Sequence, residues 1–590
     1  MSLVTITDHN RIEGALEIAH LPGTFISEEV TSYFPEDRCK VHVLVFNIDE
    51  IQHEDIQKLR NNLYDLVEYL RLQNIIHALA HPFYSVNDRL TVEHFEKCLL
   101  LFKDFELNGD FNPESNESLK LILSALTRED IFRLADKHGF LPKVPDPWEK
   151  SLVGGSDDHS SLNIARTFTE VIAADSVDSF LKGISHRETK VISQSSSPQN
   201  LARNLYSIAY QFYRNKLGLG DFTPNDGVLK FIDCCLRTDH GEPVGFFNKL
   251  HVLRQYRRQK KIAGSAPDTM MELLRRETDK LFAENPRLFM IPEDGSTNCC
   301  DIEKQWFVFV KEISNRVLLQ FADHLFDHFS GANLFSIFHT IGSAGGFYTL
   351  LAPYFVAFAQ YRKHRHLQRK VERRFQRQEM AAARTGRNEN VAIFTDTLTG
   401  INEVVFALQQ QVPSATKFNQ RLTVVTCDGE NRTEKSGIQN FKPIGVYDFS
   451  DDPESKLYYP PLLEMLDFCY QQNFSRIHAA TPGPIGMAAL LIAKFLNLPI
   501  NGTYHTSLPH YAHFLTGDAF MEELAWKYTI WFYSQMGQIY VPSQSIYEEL
   551  VGKGIEAEKI HLFLGFKTTP HFCRLAKNEP KTNVRLTPAY

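Results

Sequence analysis

An α/β multidomain protein with a helical middle is predicted by three features of the chain. Strand-like and helix-like patterns alternate over residues 1–195, helical spacing runs almost unbroken over 196–388, and the alternation returns over 389–568, before a tail at 569–590. The 590 residues amount to about four typical domains. An apolar fraction of 43% and a charged fraction of 23% exclude a disordered or mostly membrane-embedded chain. A net charge of −8 argues against a nucleic-acid binder. Nine cysteines, including the adjacent pairs Cys234-Cys235 and Cys299-Cys300 and no C-x-x-C, read as reduced thiols of a cytoplasmic protein. The opening MSLVTITDHN lacks the basic and apolar regions of a signal peptide.

In the first part, Leu3 to Asp8 is a short β-branched run expected to be a strand, and RIEGALEIAH a helix. VHVLVFNI predicts a strand, and EDIQKLRNNLYDLVEYLRLQN one long amphipathic helix with apolar residues at i, i+3, i+4 and i+7. IIHALAHP, FELNG and SLVGGSDDHSS supply further strands, with VEHFEKCLLLFKDF a helix between the first two. Beside these runs stand His9, Glu28 and Glu29, His42, His77, His81, Asp157 and His159. Imidazoles and carboxylates at strand ends suit a divalent zinc, manganese or iron ion, which with an open position activates water for hydrolysis. A polar core held by hydrogen bonds is the alternative.

VTITDHN, PGTFISEEV, VHVLV, LAHP and GGSDDHS, in that order over about residues 1–165, resemble the polymerase-and-histidinol-phosphatase (PHP) metal-dependent phosphoesterases. The resemblance implies a distorted (β/α)7 barrel and a metal-ligand set of His9, Glu29, His42, His81, Asp157 and His159. Glu29 is preferred to Glu28 because Glu-Val-Thr fits the family pattern better. The family opens with an H-x-H strand that has no counterpart here, so the barrel is expected to be incomplete, one metal position weakened, and a strand edge left to be covered.

In the middle part no Asp, Glu, Lys or Arg occurs from His328 to Tyr361, and Arg362 to Arg387 then holds ten Lys/Arg and two Glu. The apolar run reads as two short helices broken at Gly345-Gly346. Three arrangements fit: a buried helical pair followed by a linker helix, contact with a membrane surface by apolar burial plus attraction of the basic stretch to anionic lipid, or a span.

In the third part NVAIFTD, RLTVVTCD, FSRIHAAT, LPINGTYHT, QIYVPS and KIHLFLGF are strands, and PIGMAALLIAKFLN and SQSIYEELVGKGI the clearest helices, the pattern of a Rossmann-like doubly wound domain. Gly400 lies in the turn after the first strand, where backbone amides meet phosphates in such folds, although G-x-G-x-x-G is absent. Pro482, Gly483, Pro484 and Gly486 shape a tight strand-to-helix turn, and His505 follows a strand, placed to hydrogen-bond a substrate hydroxyl or phosphate or to pack in the core.

DTLTGINEVV, TPGPIG, TYHTSLPHYAHFLTGD, WKYTIWFYSQM and YVPSQSIYEELVGKGI, over about residues 389–567, resemble the N-terminal half of a family-4-type, GT-B-fold retaining glycosyltransferase. The resemblance implies sugar transfer from a nucleotide donor to a glycan or lipid acceptor, with no metal required. It implies His505 at the reaction centre, Gly400, Gly483 and Gly486 on the substrate side, and acceptor or membrane contacts near His510–Phe514 and Trp526–Trp531. The donor-binding second domain has no counterpart in the tail, so a second polypeptide is the expected source of it. The whole chain thus reads as a glycosyltransferase-type protein fused to a PHP-type metallophosphoesterase domain, cytoplasmic or peripheral to the inner face of a membrane. A phosphoesterase with a binding-only C-terminal half, and a non-catalytic remnant, stay open.

Overall fold

The computed structural model describes residues 3–194, 196–216, 227–237, 270–285, 299–330, 334–375, 390–396, 415, 421–429, 437–448, 456–505 and 507–562. The chain divides into two compact units, Met1–Ala266, Phe282–Val308 and Ala352–Ala381 forming the first, and Pro267–Leu281, Phe309–Leu351 and Ala382–Tyr590 the second.

The first unit is built on a five-stranded sheet of β1 (Ser27–Tyr33), β2 (Lys40–Phe46), β3 (Ile76–Leu79), β4 (Asp104–Asn108) and β5 (Ser151–Gly155), in that spatial order. Among the described residues this sheet stands where the resemblance implied an incomplete (β/α)7 barrel. β1, β2 and β3 are antiparallel neighbours, and only β3, β4 and β5 run parallel. The reason is the connection: β1 passes to β2 through residues 34–39 with no crossover helix, which permits only the antiparallel arrangement. A ribbon of β6 (Thr167–Val171) and β7 (Thr189–Ser193) packs against β5.

Helix α1 (Glu13–Ile18) lies where the sequence places it. The single helix expected over residues 54–74 is instead α2 (Glu50–Leu59) and α3 (Leu63–Leu72). Asp49 and Gln52 close a capping box on α2, and Asn62 accepts the Tyr64 N–H at 3.1 Å to start α3. Asn62 competes for backbone hydrogen bonds and breaks a pattern whose apolar spacing alone is continuous. Thr91 caps α4 (Val92–Leu101), Asn112 and Pro113 open α5 (Pro113–Ser124), and α6 (Arg128–His138) ends on Gly139 at φ +73°. Ser176 caps α7 (Val177–Ser185).

The expected strand at Leu3–Asp8 is an extended segment with isolated bridges, Val4 to Thr24 and His9 to Glu29. It covers the outer edge of β1: Asn10 N–H donates to Glu29 O at 3.0 Å, Glu29 N–H to Asp8 O at 3.1 Å, and Thr31 N–H to the Asn10 side chain at 2.8 Å. An amide side chain thus continues the ladder where the backbone leaves it.

Among the described residues of the middle region lie the helices α8 (Pro198–Lys216), α9 (Gly227–Leu236), α10 (Met270–Glu284), α11 (Cys299–Ser330) and α12 (Leu334–Phe375). α12 runs unbroken through Gly345-Gly346 and Pro353, correcting the predicted break. Each of these residues weakens a helix locally, and burial of Leu351, Tyr354, Phe355, Phe358 and Tyr361 holds it together. Among the described residues no helix is long and apolar enough to cross a membrane.

The basic stretch does not stand apart from the first unit. Tyr361 donates to Asp110 O at 2.8 Å, Gln368 Nε2 to Ser118 Oγ at 2.8 Å, Arg374 Nε to Glu96 Oε1 at 2.7 Å, and Val371 is fully buried. One helical face of residues 361–375 is therefore packed, and residues 376–387 of the stretch lie outside the described residues. On that face His364 is 3% exposed, with Tyr84 and Phe111 edge-on at 4.9 and 4.7 Å, and neither ring nitrogen has a hydrogen-bond partner among the described residues.

Burial, reinforced by the positive charges of His81 and Lys363, lowers the His364 pKa from 6.5 to about 3. An imidazole neutral when folded and protonated when unfolded costs stability as pH falls below 6.5. His364→Leu is therefore expected to raise stability by about 1–2 kcal/mol at pH 7 and by more at pH 5. Urea denaturation at both pH values checks this, and a variant less stable than wild type at both contradicts it.

In the second unit β8 (Asn390–Phe394), β9 (Arg421–Thr426), β10 (Ile438–Asn440), β13 (Arg476–Ala479), β14 (Ile500–Thr503), β15 (Ile539–Val541) and β16 (Ile560–Leu562) form one parallel sheet in the order β10-β9-β8-β13-β14-β15-β16. β11 (Gly445–Asp448) and β12 (Lys456–Tyr459) make a separate ribbon. Numbering the sheet strands along the chain gives 3-2-1-4-5-6-7, the doubly wound order that the sequence predicts. α13 (Leu462–Gln472) precedes β13, and α14 (Pro484–Phe495) follows it. α14 buries Ile485, Ala488, Ala489, Ile492 and Ala493, an i, i+3, i+4, i+7, i+8 stripe, and packs on β13 and β8. α15 (Leu508–Thr516) and α16 (Ala519–Ser534) pack together between β14 and β15, and α17 (Gln544–Gly552) leads to β16.

Candidate functional sites at the strand ends

Strand alternation decides between the adjacent glutamates. Val30 belongs to the core, so Glu28, two residues before it, shares the face toward α2, where its carboxylate lies 3.1 Å from His53 Nδ1 and accepts from Gln57 at 2.9 Å. Glu29 and Thr31 take the other face, beside Leu44 and His42 of β2. There Glu29 Oε1 lies 2.7 Å from His42 Nδ1 and 3.1 Å from His81 Nε2, and the two imidazole nitrogens are 3.0 Å apart. His9 Nδ1 is 3.9 Å from Glu29 Oε2, and the His9 and His42 rings are 4.7 Å apart.

Burial alone would raise the Glu29 pKa, but the bonds to His42 and His81 hold it well below the carboxylate range. Burial and the neighbouring His81 keep His42 low, whereas Glu29 overcomes burial to lift His81 to about 9. Glu29, His42 and His81 are buried, and His9 is exposed at the mouth.

These donors fit a divalent ion. His9, Glu29 and His42 offer ligand atoms within 4.8 Å of one another. Tetrahedral zinc with ~2.0–2.1 Å bonds sets its donors ~3.3 Å apart, so a few tenths of an ångström of opening turns the hydrogen-bonded triangle of Glu29, His42 and His81 into a coordination face. Asp157 and His159 stand at the rim. Asp157 accepts from Asn108 Nδ2 at 3.0 Å, and His159, 61% exposed in its side chain, has its ring 6.2 Å from that of His9. His77 is elsewhere, its Nδ1 2.8 Å from Ile75 O. The sequence reading missed Glu106 and Asn108, which hydrogen-bond between His81 and Asp157. The alternation of E-L-N-G at the end of β4 could have found them, since Glu106 and Asn108 share a face.

In the second unit the order reverses between β8 and β13, where doubly wound sheets open a crevice at their carboxyl ends. Asp396, just past β8, occupies it. Its Oδ2 accepts from Thr481 Oγ1 and from Gly483 N–H at 3.1 Å, its Oδ1 accepts from Ile485 N–H at 2.8 Å, and its own N–H donates to Thr481 Oγ1 at 2.9 Å. Burial pushes the Asp396 pKa up against the lowering effect of Thr481 and the turn amides. Gly483 and Gly486 thus lie beside an internal carboxylate at the N-terminus of α14.

A Cβ on Gly486 would lie 1.9 Å from the backbone oxygen of Thr481, whereas one on Gly483 would lie 2.6 Å from the Asp396 carboxylate, a side chain that can shift by giving up part of its hydrogen bonding. Gly486→Ala is expected to cost about 2 kcal/mol and Gly483→Ala less. Thermal melts rank the two, and the reverse order contradicts the packing.

His505 is half-buried two residues past β14. Near it His478 Nε2 lies 2.7 Å from Thr503 Oγ1, and burial with the charges of His505 and Arg476 lowers the His478 pKa to about 3. Gly400 lies outside the described residues. Of the expected acceptor-side helices, Phe514 is 82% and Trp531 46% exposed, while Trp526 is buried under the Lys553 ammonium at 4.5 Å. No curated protein matches the chain. Residues 404–563 match the family model described as Glycosyltransferase Family 4, so the segment containing β13–β16 and His505 is similar to glycosyltransferase domains of that family.

Proposed function

We propose that the second unit is the acceptor-side half of a retaining, GT-B-type glycosyltransferase that passes a sugar from a nucleotide donor to a glycan or lipid. The observation that carries this is the coincidence of the Glycosyltransferase Family 4 match over 404–563 with the strand order 3-2-1-4-5-6-7. His505 lines the reaction centre, Gly483 and Gly486 shape the crevice floor, and Gly400, which lies outside the described residues, is assigned to the substrate side by the family resemblance alone. Transfer needs donor and acceptor held together, so a second, donor-gripping Rossmann-like domain completes the cleft. Phe514 and Trp531 face the acceptor, at the cytoplasmic surface of a membrane. Saturation-transfer NMR of the full chain with nucleotide sugars and short glycans tests this. At least one carbohydrate is expected to bind, with about tenfold weaker binding to His505→Ala; no carbohydrate binding, or an unchanged variant, contradicts it.

A second activity is favoured by the Glu29 cluster. Glu29, His42 and His81, with His9, hold a zinc, manganese or iron ion, and Asp157 and His159 face the mouth. Such an ion, when bound, supplies an activated water for phosphoester hydrolysis. Metal analysis after exchange into zinc or manganese is expected to find bound metal, and Asp157→Ala with His159→Ala to retain less of it. Metal-free wild-type protein contradicts this reading.

A further inference from the structure

His81 and Asp157 come from different strand ends, and both adopt positive φ, +29° and +48°. Neither is glycine, so both conformations are strained and persist only where the surroundings hold them. β4 lies between β3, which ends just before His81, and β5, which ends just before Asp157. From β4, Glu106 Oε2 accepts the His81 N–H at 2.9 Å and Asn108 Nδ2 at 3.2 Å. The same Asn108 Nδ2 donates to Asp157 Oδ2 at 3.0 Å, and Asn108 Oδ1 accepts the Asp110 N–H at 2.9 Å. Glu106 is 3% exposed and Asn108 1%. A Cβ on Gly155 would lie 2.4 Å from Glu106 Oε1, so the glycine at the end of β5 leaves the room this carboxylate occupies.

We propose that Glu106 and Asn108 are positioning residues that set the inner Glu29–His42–His81 cluster and the outer Asp157–His159 rim at a fixed separation across β4. The proposal rests on the reading of that cluster as a metal centre. Glu106 acts on the backbone of one ligand and, through a single amide, on the carboxylate of another. Neither residue touches the ion. Partners that orient ligands in this way typically change metal affinity 10–100-fold when removed.

The experiment is amide hydrogen exchange of the full chain, read by mass spectrometry over peptides covering 76–84 and 151–163, paired with calorimetric zinc titration. Glu106→Ala is expected to speed exchange at His81 about tenfold or more and to weaken zinc binding about 10–100-fold. Glu106→Gln keeps an oxygen acceptor for the His81 N–H and is expected to restore protection and most of the affinity. Asn108→Ala, useful should Glu106→Ala not fold, is expected to loosen 151–163, leave His81 protected and weaken zinc binding. Unchanged exchange at both peptides in Glu106→Ala and Asn108→Ala overturns the proposal, as does accelerated exchange with unaltered zinc affinity. Wild-type protein that binds no zinc overturns the metal reading and the positioning role with it, while exchange separately reports whether the hydrogen bonds hold.

Discussion

Glu29→Ala is expected to destabilise the first unit by about 3–5 kcal/mol and to abolish metal retention at the cluster. The carboxylate is 6% exposed and is shared by His42 at 2.7 Å and His81 at 3.1 Å. Removing it leaves two buried imidazoles facing each other at 3.0 Å without the carboxylate bonded to both, and only the charges of Asp157 and Glu106 still favour a proton on His81. Breaking a buried pair by deleting one partner has that order of cost because the other charge stays uncompensated. Glu28→Gln is the contrasting variant: Glu28 is fully buried on the opposite face, and burial raises its pKa despite His53 and Gln57. An uncharged amide there is expected to cost under about 1 kcal/mol and to leave metal retention intact.

The pH dependence has a definite sign. The depressed Glu29 pKa contributes stability above its ordinary 4.5 that is lost as pH falls below it. The raised His81 pKa contributes stability that is full below 6.5 and lost as pH rises through about 9. The lowered His42 pKa takes stability away as pH falls below 6.5, so the cluster as a whole is most stabilising near pH 6.5. Denaturant midpoints across pH 4–9 are expected to show this dependence in wild type and a flatter one in Glu29→Ala. Parallel profiles contradict the assignment.

Asp396→Ala is expected to cost about 2–4 kcal/mol in the second unit, through the loss of charge-assisted bonds from two turn amides and one hydroxyl. The carboxylate ties the end of β8 to the turn between β13 and α14, across the point where strand order reverses. Gly483, the N-cap of α14, has no side chain with which to accept those amides. Asp396→Asn keeps one oxygen acceptor and is expected to lose about half as much. Urea denaturation measures both, and an alanine variant as stable as wild type contradicts the tie.

The parallel sheet of the second unit was legible because apolar β-branched runs alternate with helical spacing, and the Pro482–Gly486 turn announced the strand-to-helix junction. Asp396 was not identified, although a glycine N-cap without its own acceptor implies a carboxylate from elsewhere. In the first unit the alternation of β2 sets His42 on the face opposite Val41, Val43 and Val45, which belong to the core. The sheet's mixed direction was not legible, because it depends on a six-residue connection rather than on either strand's composition. The continuity of α12 past Gly345-Gly346 and Pro353 was hidden for a similar reason: local propensity disfavours it, and tertiary burial of Tyr354, Phe358 and Tyr361 overrides propensity.

The central claim is that the second unit binds carbohydrate at the carboxyl ends of β8, β13 and β14. Photo-crosslinking with an azido nucleotide sugar and with a photoreactive glycan, mapped by mass spectrometry on the full chain, tests it most directly. Adducts are expected on peptides containing Asp396, Thr481–Gly486 or His505, suppressed by excess unmodified ligand. Competable adducts confined to other surfaces, or none with either probe, would contradict it.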